Sequence, residues 1–410
     1  MKPAPKIDVS FRDLSIWANI KAGGLFSCKS YNKLILKGID GDFQAGTSTA
    51  ILGPSGSGKT TLLNFLAARM RTKGMHVKGG LYVNGRNISS IKELKHRFAY
   101  VMQDDILFSE LTVKEQLSYT ARLAGINNPD QAVDDVMNWL NLKGCQDTRI
   151  GDEASRGISG GEKKRASIAT EILTNPSVIF LDEPTTGLDS KSALDVAAMI
   201  KMFANNGRTV ITTIHQPSSE ILMKFDKILC ICKGEIVYHG PPEHIPMHFA
   251  NLGYPPSENT NPGDHLMTIL NDDDIRIKAF VAGKSITNQE VKEKFGKRLD
   301  VFVSAYRTRE KLIELNPMKD EEFKVLLENT RNPGFFMPRI LVVSRFYKIY
   351  FRNPLNAIMS LLQFVVMVII NVVVYVDTTD YDETTTIAIS DTNGLFYNFI
   401  LLLAMSSITG

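Results

Sequence analysis

Short, mostly apolar runs punctuate the chain at residues 48–52, 98–102, 177–181 and 209–214. The last two are nearly unbroken, the pattern of strands buried on both faces of a sheet. Between and after these runs lie segments with helical character. They cover residues 61–69, 113–124 and 160–173, with a further helix beginning near Ser190. Strand followed by helix, repeated, predicts an α/β domain. Residues 7–11 and 34–43 carry apolar alternation and read as strands, separated by a Lys/Gly/Ser-rich loop. Asn84-Gly85 sits between two strand-like runs within residues 81–88, a strong hairpin signal. Farther on the character changes. Residues 271–332 are highly charged, with helical pieces at 289–303 and 319–327. Residues 338–352 interleave apolar and basic positions, and residues 357–375 are uncharged and strongly apolar.

The chemistry gathers at the ends of the apolar runs. Gly53-Pro54-Ser55-Gly56-Ser57-Gly58-Lys59-Thr60, continued by Thr61, fills every fixed position of G-x-x-x-x-G-K-[ST]. Its glycines leave backbone N–H groups bare for a phosphate, and the following helix adds its positive end. Lys59 can reach terminal phosphates and Thr60 offers a hydroxyl to Mg²⁺. Gln103 follows the second run, where ligands bind in open α/β sheets, and can touch Mg²⁺ or an attacking water. Ser159-Gly160-Gly161-Glu162 forms an S-x-x-E capping box whose two glycines also expose donors for a second anion. Asp182 and Glu183 end the third run. Adjacent carboxylates are costly in a core, but near a magnesium nucleotide Asp182 can hold the metal and Glu183 can deprotonate water. Gly187-Leu188-Asp189-Ser190 opens the next helix, and His215 ends the fourth run. An adenine ring needs a platform. Phe11, Trp17, Phe26 and Tyr31 are all possible sources, and core packing competes for each, so that contact stays unassigned.

The ordered set of phosphate loop, Gln103, Ser159 to Glu162, Asp182-Glu183, Asp189 and His215 resembles the ATP-binding-cassette ATPases over roughly residues 7–275. Glu162 followed by basic residues, a cassette ahead of a membrane region, and Asn261-Pro262-Gly263-Asp264 resemble the G subfamily of half-transporters. The resemblance implies an α/β P-loop cassette, a mixed sheet with helices and a helical subdomain carrying the signature peptide, and ATP and Mg²⁺ as cofactors. It implies head-to-tail pairing with a second half-transporter, as a homodimer or heterodimer. Ser159, Gly160 and Gly161 would then bind the γ-phosphate of ATP held by the partner. Asp189 would join the two sites, and His215 would contact the γ-phosphate. With Glu183 present, hydrolysis coupled to export of a hydrophobic or lipid-like solute is expected.

Further expectations concern domain organisation, the membrane and partners. The cassette is placed at residues 1–275, a charged linker at 276–337, and an interfacial helix with the start of a membrane domain at 338–410. One spanning helix is expected near 357–375 and a second from about 394. Basic residues before the first span and acidic ones after it put the cassette on the cytosolic side. A net charge of +3 is too small to argue for nucleic acid as a partner, and the spacing of Cys28, Cys145, Cys230 and Cys232 suits a reducing compartment. A soluble cassette that remodels a ribosome or DNA would carry paired cassettes or a long coiled coil, and this chain has neither feature. Because the G subfamily has six membrane helices per half, the chain resembles the front part of such a protein. The alternative expectation is a short form that dimerises with, and regulates, a full half-transporter.

Overall fold

The computed structural model describes residues 4–22, 29–70, 74–88, 91–152, 155–257, 261–281, 287–309, 315–328, 334–352, 358–359, 361–366 and 368–369. In chain order the first half forms β1 (Val9–Ala22), β2 (Lys29–Phe43), β3 (Ser48–Leu52), α1 (Lys59–Leu66), β4 (Met75–Val83), β5 (Arg86–Asn87), β6 (Phe98–Val101), α2 (Val113–Leu123), α3 (Pro129–Trp139), α4 (Gly160–Ile172) and β7 (Val178–Asp182). Then follow α5 (Ser190–Asn205), β8 (Thr209–Thr213), α6 (Ser219–Leu222), β9 (Lys227–Cys232), β10 (Glu235–Gly240), α7 (Ile245–Asn251), α8 (Pro262–Leu270), α9 (Asp273–Val281), α10 (Asn288–Arg309), α11 (Asp320–Leu327) and α12 (Met337–Arg352).

Two sheets share the strands. The larger has the order β10-β9-β3-β8-β7-β6, parallel except for β10, and the smaller is antiparallel with the order β2-β1-β4-β5. With β10 alone antiparallel, the large sheet is mixed, as the resemblance to the cassette ATPases implies. Its period of two sends side chains to opposite cores. Phe180 and Ile211 face a core shared with α1 and the small sheet, where Phe11 and Phe43 pack. Ile179, Leu181 and Val210 face the other core, filled by Leu117, Ile168, Val196 and Phe203 of the helices. That double burial is why these runs are continuously apolar.

The expected loop between the first two strands is mostly strand. β1 and β2 pair in register from Val9↔Phe43 to Ala22↔Lys29, with shifts near Leu14 and Ile16. Polar residues at its outer end hid the pairing, because an exposed antiparallel ribbon needs no apolar alternation. The Asn84-Gly85 hairpin forms as expected, with both residues at positive φ.

The charged stretch after residue 275 is seated on the cassette. Val291, Phe295, Leu299, Phe302 and Val303 of α10 enter the helical-side core, and Arg298 of α10 donates to the Ile269 carbonyl at 3.0 Å. The segment leading into α11 meets the hairpin, where Met318 N–H donates to the Asn84 carbonyl at 3.0 Å. Apolar residues at helical spacing are the signal for this docking; net polarity obscures it.

Helix α12 buries only Leu341 and exposes Ile340, Val343, Phe346, Tyr347 and Phe351. Residues 358–359, 361–366 and 368–369 are helical, and their large apolar side chains are exposed. Among the described residues no helix is long and apolar enough to cross a membrane. Parts of the first expected span, and all of the second from about 394, lie outside the described residues.

Candidate nucleotide site

Strands β3, β8, β7 and β6 are consecutive neighbours in the large sheet and run parallel. Their carboxyl ends are level, since Ile51 and Asp182 both register with Thr213, and Val101 registers with Leu181. The phosphate loop, His215, Asp182-Glu183 and Gln103 therefore leave the sheet side by side, along the edge where ligands bind in open parallel sheets.

The loop is built tightly against the sheet. Gly53 has φ +148°, and a Cβ there would stand 2.0 Å from the Ile231 carbonyl oxygen, so only glycine fits. Gly58 has φ +106° and directly precedes α1. Lys59 turns back over the loop, donating to the Gly53 and Pro54 carbonyls at 2.7 and 3.0 Å. Burial lowers its pKa, and the negative charges around it, Glu183 first, pull it back up. Ser57 Oγ is buried with no hydrogen-bond partner among the described residues. A buried orphan hydroxyl in a cradle of bare amides suits a phosphate oxygen.

A cleft of about 460 Å³ opens beside the loop, lined by Gly56 to Thr61 together with Lys33, Leu34 and Ile35 of β2 and with Lys233. Neither Phe11, Trp17 nor Tyr31 lines it. Phe11 is core, packed on Phe43, and Phe26 lies outside the described residues. The wall contributed by β2 is aliphatic. The aromatic composition of the sequence gave no signal for it.

Asp182 is held at both oxygens. Thr213 Oγ1 donates to Oδ1 at 2.6 Å, and Tyr100 Oη donates to Oδ2 at 3.1 Å. Burial and the neighbouring carboxylate push the Tyr100 pKa up, so the phenol keeps its proton. Thr213 Oγ1 also accepts from Glu183 N–H at 3.0 Å. Glu183 takes a positive φ of 45°, and its carboxylate accepts from Thr186 Oγ1 at 3.2 Å. Asp182, Gln103 and exposed Thr60 offer a carboxylate, an amide and a hydroxyl oxygen, the donor chemistry that suits a hard divalent cation. Neither Thr213 nor Tyr100 was singled out from the sequence. Each sits inside a run whose apolar character dominates, and the one available signal is a hydroxyl at the strand end.

The other predicted residues form a second cluster. Ser159 caps α4 with the expected reciprocal box, Ser159 Oγ accepting from Glu162 N–H and Glu162 Oε2 accepting from Ser159 N–H. Those Ser159 bonds hold the Glu162 carboxyl below its usual range. Asp189 caps α5 and accepts from Ser192 N–H and Oγ at 3.0 and 2.7 Å. A Cβ on Gly161 would lie 2.6 Å from Ser192 Oγ, so the signature turn rests on the start of α5. None of Ser159, Gly160, Gly161, Glu162 and Asp189 lines the phosphate-loop cleft, and neither do Gln103, Asp182, Glu183 and His215 at the adjoining strand ends. Lys164, nearly fully buried, links the clusters by donating to the Gln103 carbonyl and pairing with Asp105, both at 2.8 Å.

Comparison with known proteins agrees with this geometry. The chain matches the ABC transporter family over residues 36–186 and an ABC-2 type transporter family over residues 215–289. The second match falls on the stretch from just after β8 to the start of α10, inside the folded body. ABC transporter G family member 22 of Arabidopsis thaliana is 39% identical over 342 residues, covering 79% of this chain and 44% of the relative. ABC transporter G family member 1 of Dictyostelium discoideum is 41% identical over 273 residues, 65% of this chain and 34% of the relative. The broad substrate specificity ATP-binding cassette transporter ABCG2 of Sus scrofa is 37% identical over 290 residues, 70% of this chain and 43% of the relative. The chain thus spans less than half the length of these relatives. The cassette architecture, the ordered motifs and these matches together establish that the chain belongs to the ABC transporter family, within its G-family branch.

Proposed function

We propose that this chain is the ATP-hydrolysing half of a G-type exporter, which couples cassette pairing to movement of a hydrophobic or lipid-like solute across a membrane. The observation that carries this function is the level row of phosphate loop, Asp182-Glu183, Gln103 and His215 on four adjacent parallel strands. ATP phosphates would occupy the loop amides with Lys59, beside the orphan Ser57 hydroxyl. Leu34 and Ile35 would give the adenine an aliphatic wall. Thr60, Gln103 and Asp182 would hold Mg²⁺, which when bound would neutralise phosphate charge. Glu183, steadied by Thr186, would take the proton of the attacking water. His215, exposed at the end of β8, would reach the γ-phosphate.

The signature turn stands apart from the chain's own cleft, which supports completion of that cleft by a partner's Ser159, Gly160 and Gly161. The same geometry would place Asp189 at the join of the two sites. Helix α12 supports the membrane link. It exposes aromatics and Arg339, with Arg345 half-buried beside them, the composition of an interfacial helix. Its inner side grips α2, where Lys348 and Arg352 both pair with Glu115. Residues 357–375 would span the bilayer beyond it, leaving the cassette cytosolic.

Glu183→Gln tests the chemistry. Turnover is expected to fall by at least about 100-fold while ATP labelling of the cleft persists. Turnover at the wild-type rate would remove Glu183 from the role of base.

A further inference from the structure

We propose that Tyr100 and Thr213 are positioning residues that fix the Asp182 carboxylate for the divalent cation, and that Thr213 sets the two acidic residues in one frame. This inference rests on the proposed ATP-binding role of the cleft. Four observations carry it. First, the two carboxylate oxygens have separate donors from separate strands, Thr213 Oγ1 from β8 at 2.6 Å and Tyr100 Oη from β6 at 3.1 Å. β7 lies between those strands, so Asp182 is clamped from both sides and its remaining lone pairs point out of the clamp. Second, Thr213 is fully buried, and its one hydroxyl serves two neighbours, donating to Asp182 and accepting from Glu183 N–H at 3.0 Å. It therefore ties the turn that carries the base to the metal carboxylate, with Glu183 in a left-handed conformation that needs such support. Third, Tyr100 is itself held. The Arg69 guanidinium lies 4.5 Å from its ring centroid. Arg69 comes just after α1, the helix that starts at Lys59, so the phosphate-loop helix braces the clamp from behind. Fourth, the Tyr100 hydroxyl makes its hydrogen bond to Asp182, and Tyr100 and Thr213, like Asp182 itself, stand outside the lining of the loop cleft. Both act through Asp182, as outer-shell partners orient a metal's ligands.

The test is a Mg²⁺ titration of fluorescent trinitrophenyl-ATP binding to the full chain in lipid nanodiscs, with Mg²⁺-free binding measured in parallel. In Thr213→Val, a near-isosteric change, the Mg²⁺ midpoint is expected to rise about ten-fold, with a smaller rise in Tyr100→Phe. Mg²⁺-free nucleotide binding should stay at the wild-type level in both variants. Thr213→Ser restores the hydroxyl and should restore the midpoint, an outcome that a purely structural role would not produce. Where Thr213→Val fails to fold, Tyr100→Phe, which keeps the ring, decides alone. Wild-type midpoints in the folded variants would overturn the clamp and leave the ATP-binding role standing. A wild-type chain that binds no nucleotide with or without Mg²⁺ would overturn both.

Discussion

Gly53 and Lys164 illustrate how single side chains, or the lack of one, set this fold. Gly53→Ala would drive a methyl into the Ile231 carbonyl, so the loop or β9 must move. The expected outcome is loss of nucleotide binding with a lowered melting temperature, checked by differential scanning fluorimetry with and without ATP. Lys164→Met would leave the Asp105 carboxylate and the Gln103 carbonyl without their buried cation. Breaking such a pair typically costs about 3 kcal/mol or more. Denaturant unfolding should register that loss, and Lys164→Arg should recover part of it; equal midpoints for wild type and Lys164→Met would refute the strut. At this scale the sequence was legible where chemistry imposes a motif. Gly53 to Thr60, Asp182-Glu183 and the Ser159–Glu162 box stand where they were expected. Tyr100, Thr213 and Lys164 were not legible. A polar group buried by a distant partner looks, in one dimension, like any other strand hydroxyl or helix lysine.

Between elements, the contact with a measurable pH signature is α12 on α2. Glu115 accepts from Arg352 Nη2 at 2.8 Å and pairs with Lys348 at 2.8 Å. Tyr119 meets Ser344 at 3.3 Å, and Arg345 lies over Phe108. Burial alone would raise the Glu115 pKa; the bonds from Arg352 and Lys348 and the Thr112 N–H outweigh it and hold the pKa at about 2. The folded value lies below the ordinary 4.5, so this contact contributes stability that is fully present above pH 4.5. That contribution is lost as pH falls from there toward about 2. The stability difference between wild type and Glu115→Gln should stay constant from neutral pH down to about 4.5 and shrink below it. At neutral pH, hydrogen exchange across residues 337–352 should quicken in Glu115→Gln. Unchanged exchange would mean that α12 is held by other contacts. The amphipathic character of α12 was legible in residues 338–352, but a helix–helix ion cluster depends on tertiary placement that no local pattern encodes. The docking of α10 was hidden for a related reason. Its buried apolar positions are diluted by exposed Lys and Glu, which periodicity resolves and composition does not.

For the whole molecule, topology explains how motifs far apart in the sequence come to stand along one sheet edge. Parallel strands separated by helices deliver every strand's carboxyl end to one edge, so motifs far apart in sequence become neighbours without any long-range signal. The β1–β2 ribbon and the stretch after residue 275 obey no such rule, and there the expectations needed revision. The separation of the signature turn from the chain's own cleft has a genetic consequence. If two chains pair head to tail as proposed, a Lys59 defect in one chain and a Gly161 defect in the other would fall on the same composite site. The opposite site keeps a sound loop and a sound signature turn. Co-expressing two inactive alleles, Lys59→Met and Gly161→Asp, should therefore restore about a quarter of wild-type hydrolysis, given random pairing and independent sites. Two defects in the same motif should restore none. Intragenic complementation of that kind would be inherited as a property of the pair, and neither allele alone would reveal it.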